Sequence, residues 1–210
     1  MSWTQDLPYA LSDWMDDAAE YADEVAAGLE EDRSLPWFPL LLTGAAVAGA
    51  AWLVRHRKEE LRNLAVRRLI EQPAEGQSFL SLEESLQRSG ERVATRAANI
   101  SDTERNRELL RHIIGIERWG RARVQSAVLH RPWVMDSHQD YKPPKDKSMP
   151  ELAEILAEQR RRTATLAHSL HESPPRLNDK VVHNEFGPLS VRGWLRYLQL
   201  HAEMESRKML

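Results

Sequence analysis

The sequence predicts an all-α protein: an up-down four-helix bundle preceded by a single transmembrane helix and an acidic N-terminal helix. Three observations carry this expectation. Residues 37–54 read WFPLLLTGAAVAGAAWLV, without a charge. Four later stretches repeat apolar residues at helical spacing, three of them opening on Ser-x-x-Glu. No alternating β pattern longer than a few residues interrupts them.

Residues 1–36 form an acidic amphipathic tail, with ten acids against one base, Arg33. Trp14, Ala18, Tyr21, Val25 and Leu29 share a helical face there. Such a helix suits a partner or solvent, since anionic lipid would repel its acidic side. The uncharged run 37–54 covers about 27 Å as a helix, close to the hydrocarbon thickness of a bilayer. Trp37 and Trp52 lie near its ends, where amphipathic rings favour the interface. A buried core helix is the alternative. Gly44/Ala48 and Ala45/Gly49 are small pairs at i, i+4 that let another helix approach, as a homodimer would require. Arg55, Arg57 and Lys58 follow at once, so the positive-inside rule places the C-terminal bundle in the cytoplasm of a bacterial-type cell membrane, single-pass.

The helix leaving the span is expected to continue to about Ile70. EQPAEGQS, residues 71–78, then breaks it as a linker through Pro73 and Gly76. The bundle proper occupies 79–210. Its first three helices are predicted from capping boxes: Ser81-x-x-Glu84 to about Ala98, Ser101-x-x-Glu104 to about His130, and Ser148-x-x-Glu151 to about His171. Ser190 caps the fourth without a reciprocal acid. Two long links, 131–147 and 172–189, are rich in proline, and long connections at the end of a bundle often carry function.

The chain has no cysteine, which excludes disulfides, thiolate metal sites and a cysteine nucleophile. Any metal must be held by nitrogen and oxygen. Outside the acidic tail the net charge is +6, with no basic stripe interleaved with aromatics, so no nucleic-acid partner is expected. No Ser/His/Asp arrangement, phosphate-binding glycine loop or His-Glu-x-x-His is present.

One constellation stands out. On the second bundle helix Leu109, Ile113, Ile116, Gly120, Val124 and Ala127 form an apolar stripe with His112 at its edge. On the last helix Trp194, Leu198, His201 and Glu205 lie within about 60° of one another. Polar groups on a core-facing side need partners. An i, i+4 His/Glu pair and a histidine from a facing helix make a three-ligand metal site with open positions, suited to zinc, nickel, iron or manganese. Each residue alone also reads as an ordinary polar position, Glu205 as a solvated acid near Arg207 and Lys208. Glu117 is a candidate supporting group if it turns inward. His168 with His171, His183 and His56 are weaker metal candidates.

The pieces ELLRHIIGIERWGRARV (108–124), AEILAEQRRRTATLAHSL (153–170) and HNEFGPLSVRGWLRYLQLHAE (183–203) together resemble the DinB-like superfamily, four-helix bundles related to YfiT-type proteins. The resemblance covers about 79–210. It implies a divalent metal held by a histidine on the second helix and a His-x-x-x-His pair on the last. His112 and His201 match two of these positions, and Glu205 stands where the pattern has histidine. The pattern's usual His-Leu-x-Gln-Ile ending is also absent: Glu205-Ser206-Arg207-Lys208-Met209 stands there. The resemblance further implies a thiol-dependent transferase or hydrolase acting on a small-molecule thiol and an electrophile, here membrane-anchored. The alternative is a non-catalytic, membrane-tethered interaction scaffold with a degenerate site.

Overall fold

Four amphipathic helices place one face of each against the others, and this computed structural model describes them within residues 58–132, 134–176 and 179–210. Two compact units divide the chain, Met1–Val66 and Arg67–Leu210. The first contributes helix α1, Lys58–Ala65, to the described residues. A π-helical stretch, Val66–Glu71, and a short helix α2, Gln72–Glu75, follow. The bundle comprises α3 (Phe79–Ala98), α4 (Glu104–Val128), α5 (Met149–Glu172) and α6 (Val191–Arg207). A 3-10 turn, His138–Tyr141, lies between α4 and α5. An antiparallel hairpin, β1 (Lys180–His183) and β2 (Gly187–Ser190), precedes α6, with Val181 opposite Leu189.

The expected transmembrane helix and membrane localisation are corrected here. Among the described residues no helix is long and apolar enough to cross a membrane. A span needs about 20 mostly apolar residues, whereas α4, long enough at 25 residues, carries charges from Glu104 through Arg123. The run 37–54, the acidic tail 1–36 and His56 lie outside the described residues. The single-pass placement rested on that span and falls with it.

The bundle is also not up-down in simple succession. α3 and α4 each pack against both α5 and α6. Glu83 meets His168, and residue 90 meets Arg160, so α3 and α5 run antiparallel. Asp102 reaches Met149 and Glu117 reaches Arg160, so α4 and α5 run parallel. Asn106 meets Leu210, and Gly120 faces Leu198, so α4 and α6 run antiparallel. The order is therefore up-down-down-up. Its parallel step needs a connection that returns along the bundle, and residues 129–148 provide it. They form a strap along α4: Asp136 bonds Trp119 and Arg123, Tyr141 O accepts from Arg118, and Pro143 O accepts from Arg111.

The core joins Val93 and Ala97 of α3, Leu110, Ile113 and Ile114 of α4, Leu152 and Leu156 of α5, and Ala202 of α6. Ser148 with Glu151 forms the expected capping box on α5. The caps of α3 and α4 fall on Ser78 and Thr103, three residues before Ser81 and two after Ser101.

Residues 71–78 do more than link. Glu71 Oε1 accepts from the Ser190 N–H at 2.8 Å, and the Gly193 N–H donates to Ser190 Oγ at 2.9 Å. That is the reciprocal exchange of a capping box, with its acid supplied 119 residues earlier in the chain. Gly193 occupies the position where such an acid normally sits, and a Cβ there would overlap the Glu71 carboxylate. Pro73 removes the N–H that would bond the Leu69 carbonyl in an α-helix, and Arg196 Nε donates to that carbonyl at 2.8 Å instead. Glu71→Ala should therefore destabilise the protein by about 1 kcal/mol, the usual cost of a lost cap, and Gly193→Ala should cost at least as much. Urea unfolding of the three proteins checks both.

Candidate metal centre

His112 lies on α4, and His201 and Glu205 lie one turn apart on α6. The two helices approach closely because residue 120 is glycine: a Cβ there would stand 2.7 Å from Leu198 Cδ2 and 2.8 Å from Trp194 Cζ3. Two turns along α4, His112 Nε2 comes within 3.2 Å of His201 Nε2. One ligand atom from each of His112, His201 and Glu205 lies within 4.8 Å of the others, so the three form a group that could hold a metal ion. Two ligands at about 2.0–2.2 Å from a tetrahedral ion are about 3.3–3.6 Å apart. The imidazole pair, at 3.2 Å, is within about 0.1 Å of that spacing, and a Glu205 carboxylate oxygen lies within 4.8 Å of both rings' ligand atoms.

The electrostatics suit ligation. Burial, then the charges of His138 and Lys142, push the His112 pKa down to about 3. Burial, then His112 and His138, hold His201 well below its ordinary value. Both rings are neutral at pH 7, as a metal ligand must be. Glu205 is largely covered, its side chain 13% exposed, with Lys208 Nζ 3.3 Å from its carboxylate.

Other candidates go elsewhere. Glu117 does turn inward, but toward α5, where its carboxylate faces Arg160 at 3.5 Å. His168 is solvent-exposed and pairs with Glu83 at 2.9 Å. His183 is buried among rings, stacked on Phe186 at 4.4 Å and edge-on to Tyr197 at 4.8 Å. Its Nδ1 accepts from the N–H groups of Glu185 and Phe186, which places its proton on Nε2. The strap brings a residue the motif did not include: His138 stands edge-on to His112 with centroids 5.0 Å apart. Asp136 holds that strap by accepting from Trp119 Nε1, Arg123 and Tyr141 Oη. No family model, curated protein or solved structure matches the chain, so geometry alone defines this site.

His183 has a consequence for stability. Burial, then Arg123, pushes its pKa down to about 3, against about 6.5 in an unfolded chain. A depressed folded value means its contribution is complete above about pH 6.5 and is lost as pH falls toward 3. Stability of metal-free protein, followed by urea unfolding, should decline across that window. His183→Phe should be less stable at pH 7 yet show a shallower decline.

Proposed function

We propose that the chain is a metal-dependent enzyme of the DinB-like kind, with His112, His201 and Glu205 holding one divalent ion. The observation that carries this is a half-buried and a buried imidazole, both neutral, whose Nε2 atoms face each other at 3.2 Å beside a mostly covered carboxylate. Nitrogen and oxygen donors with no thiolate suit zinc, nickel, iron or manganese. When bound, such an ion lowers the pKa of a coordinated water or thiol and supplies a nucleophile near neutral pH. The reaction class we assign is thiol-dependent transfer or hydrolysis, with a small thiol and an electrophile as substrates.

The chain's own residues set the conditions. The α4–α6 contact fixes the imidazole spacing, burial keeps both rings unprotonated, and Glu205 offsets two units of positive charge by one. The strap shields His112 on the side where His138 lies. A second reading, a non-catalytic interaction scaffold, draws support from one contact: Lys208 occupies the Glu205 carboxylate that an ion would need.

Metal analysis of the purified chain decides between them. We expect one zinc-class ion per chain, lost in His201→Ala. Glu205→His should retain it. Glu205→Gln should weaken binding by more than the about 10- to 100-fold that follows loss of an outer partner. Sub-stoichiometric metal in the unaltered protein, after incubation with each of the four ions, leaves the scaffold reading.

A further inference from the structure

A cavity of about 410 Å³ opens beside this site, lined by Arg105, Glu108, Leu109, His112, Lys142 and Lys208. Its size is that of a small-molecule site. Three of its six lining residues are cations, drawn from the start of α4, the strap and the end of α6. Glu108 is the only acid among them, and it is shared by two cations, Lys142 at 2.7 Å and Arg111. Burial alone would raise its pKa, but Lys142 and Arg111 hold it below the ordinary carboxylate range, so it stays charged. Behind this lining Arg111 pairs with Glu108 and Glu205 pairs with Lys208, so four positive groups stand against two negative ones in and next to the cavity wall.

We propose that this cavity binds a small molecule carrying carboxylate groups, held by Lys142, Arg105 and Lys208 while its reactive part lies against His112. The assignment rests on the metal reading for what happens at His112, and on the cavity charges alone for the anion. Cations standing on three separate elements, in a lining that also holds the apolar Leu109, suit anionic groups spaced by carbon. Ammonium and guanidinium groups bond carboxylates about twice as strongly as neutral donors do.

Gly115 is the positioning residue. A Cβ on it would stand 2.9 Å from the His138 carbonyl oxygen and 2.9 Å from Lys142 Cγ. Only glycine lets the strap lie close enough to bring Lys142 to the cavity. The signal was present as a glycine inside a helix, adjoining the apolar stripe rather than on it.

Calorimetric titration of the full chain with succinate, its uncharged analogue succinamide and inorganic phosphate, each with and without zinc, tests this. Succinate should bind at least about tenfold more tightly than succinamide, the loss expected when a charged hydrogen bond is removed. Lys142→Gln and Arg105→Gln should each erode that preference while zinc stoichiometry stays unchanged. Gly115→Ala should erode it too, with every cation retained; if that variant does not fold, the two glutamine variants decide. Equal binding of succinate and succinamide, a preference unchanged in Lys142→Gln and Arg105→Gln, or tighter binding of phosphate overturns the proposal. One zinc per chain without a succinate preference removes the carboxylate site and keeps the metal reading. A preference that Lys142→Gln abolishes, in protein that takes up no zinc, does the reverse.

Discussion

The approach of α4 to α6 at Gly120 is the constraint on which the site depends. With no side chain there, the ring of Trp194 and the methyls of Leu198 fill the space directly against the α4 backbone. Both are fully buried, so the contact is made in the packed interior, where a shift of even one methylene is felt. His112 lies eight residues before Gly120 and His201 seven after Trp194, which also faces Gly120, so antiparallel helices bring the two rings to the same level. An interhelical distance set by larger residues would separate the imidazole nitrogens beyond the reach of one ion.

Carboxylates from connecting segments hold this arrangement in place. Glu71 caps α6 from outside the bundle, and Lys180 of β1 approaches its other oxygen at 3.6 Å. Trp194 Nε1 donates to the Val181 carbonyl, so the hairpin is fastened to α6 one turn after its cap. Asp136 performs the corresponding task for the strap, gathering Trp119, Arg123 and Tyr141 onto one carboxylate. Those bonds hold its carboxyl below the ordinary range, although burial alone would raise it. Trp119 and Arg123 are buried, and the hydrogen bonds of such a carboxylate are charge-assisted, about twice as strong as neutral ones.

The helices and the face each candidate ligand occupies were legible because helical period places residues on faces without knowledge of neighbours, while the pairing of His112 with the last helix was implied by the resemblance. His201 and Glu205 project together for that reason alone, and Ser148 and Ser190 cap where their sequence contexts say. Other features depend on partners distant in the chain. Ser81 and Ser101 match the capping pattern, but α3 begins earlier, at the buried Phe79, and is capped by Ser78. Glu71 carries no local sign of being the missing acid for Ser190, 119 residues away. The hairpin is four residues a side, shorter than an alternation needs to stand out. The down-down step was hidden because a connection the length of 129–148 permits either direction. The burial of α4 also exceeds its stripe: Ile114, Gly115 and Glu117 are covered, Gly115 by a strap that has no period to read.

Desolvation of the imidazole pair, His201 buried and His112 half-buried, links the fold to its chemistry. Free histidine loses a proton as it takes a metal whenever the pH lies near or below its pKa, and that competition weakens binding. Here desolvation has already driven the rings to their neutral forms. Two neutral rings at 3.2 Å share one N–H between them, so ligation requires a proton to move from Nε2 to Nδ1 rather than to leave the ring. The cost of excluding water is therefore met by folding, through the packing of α4, α6 and the strap, before any ion arrives. The same exclusion leaves charge compensation to the few ionic groups that remain nearby. Glu205 carries the single negative charge of the candidate ligand set, and the neighbouring cavity is lined by three cations and one acid.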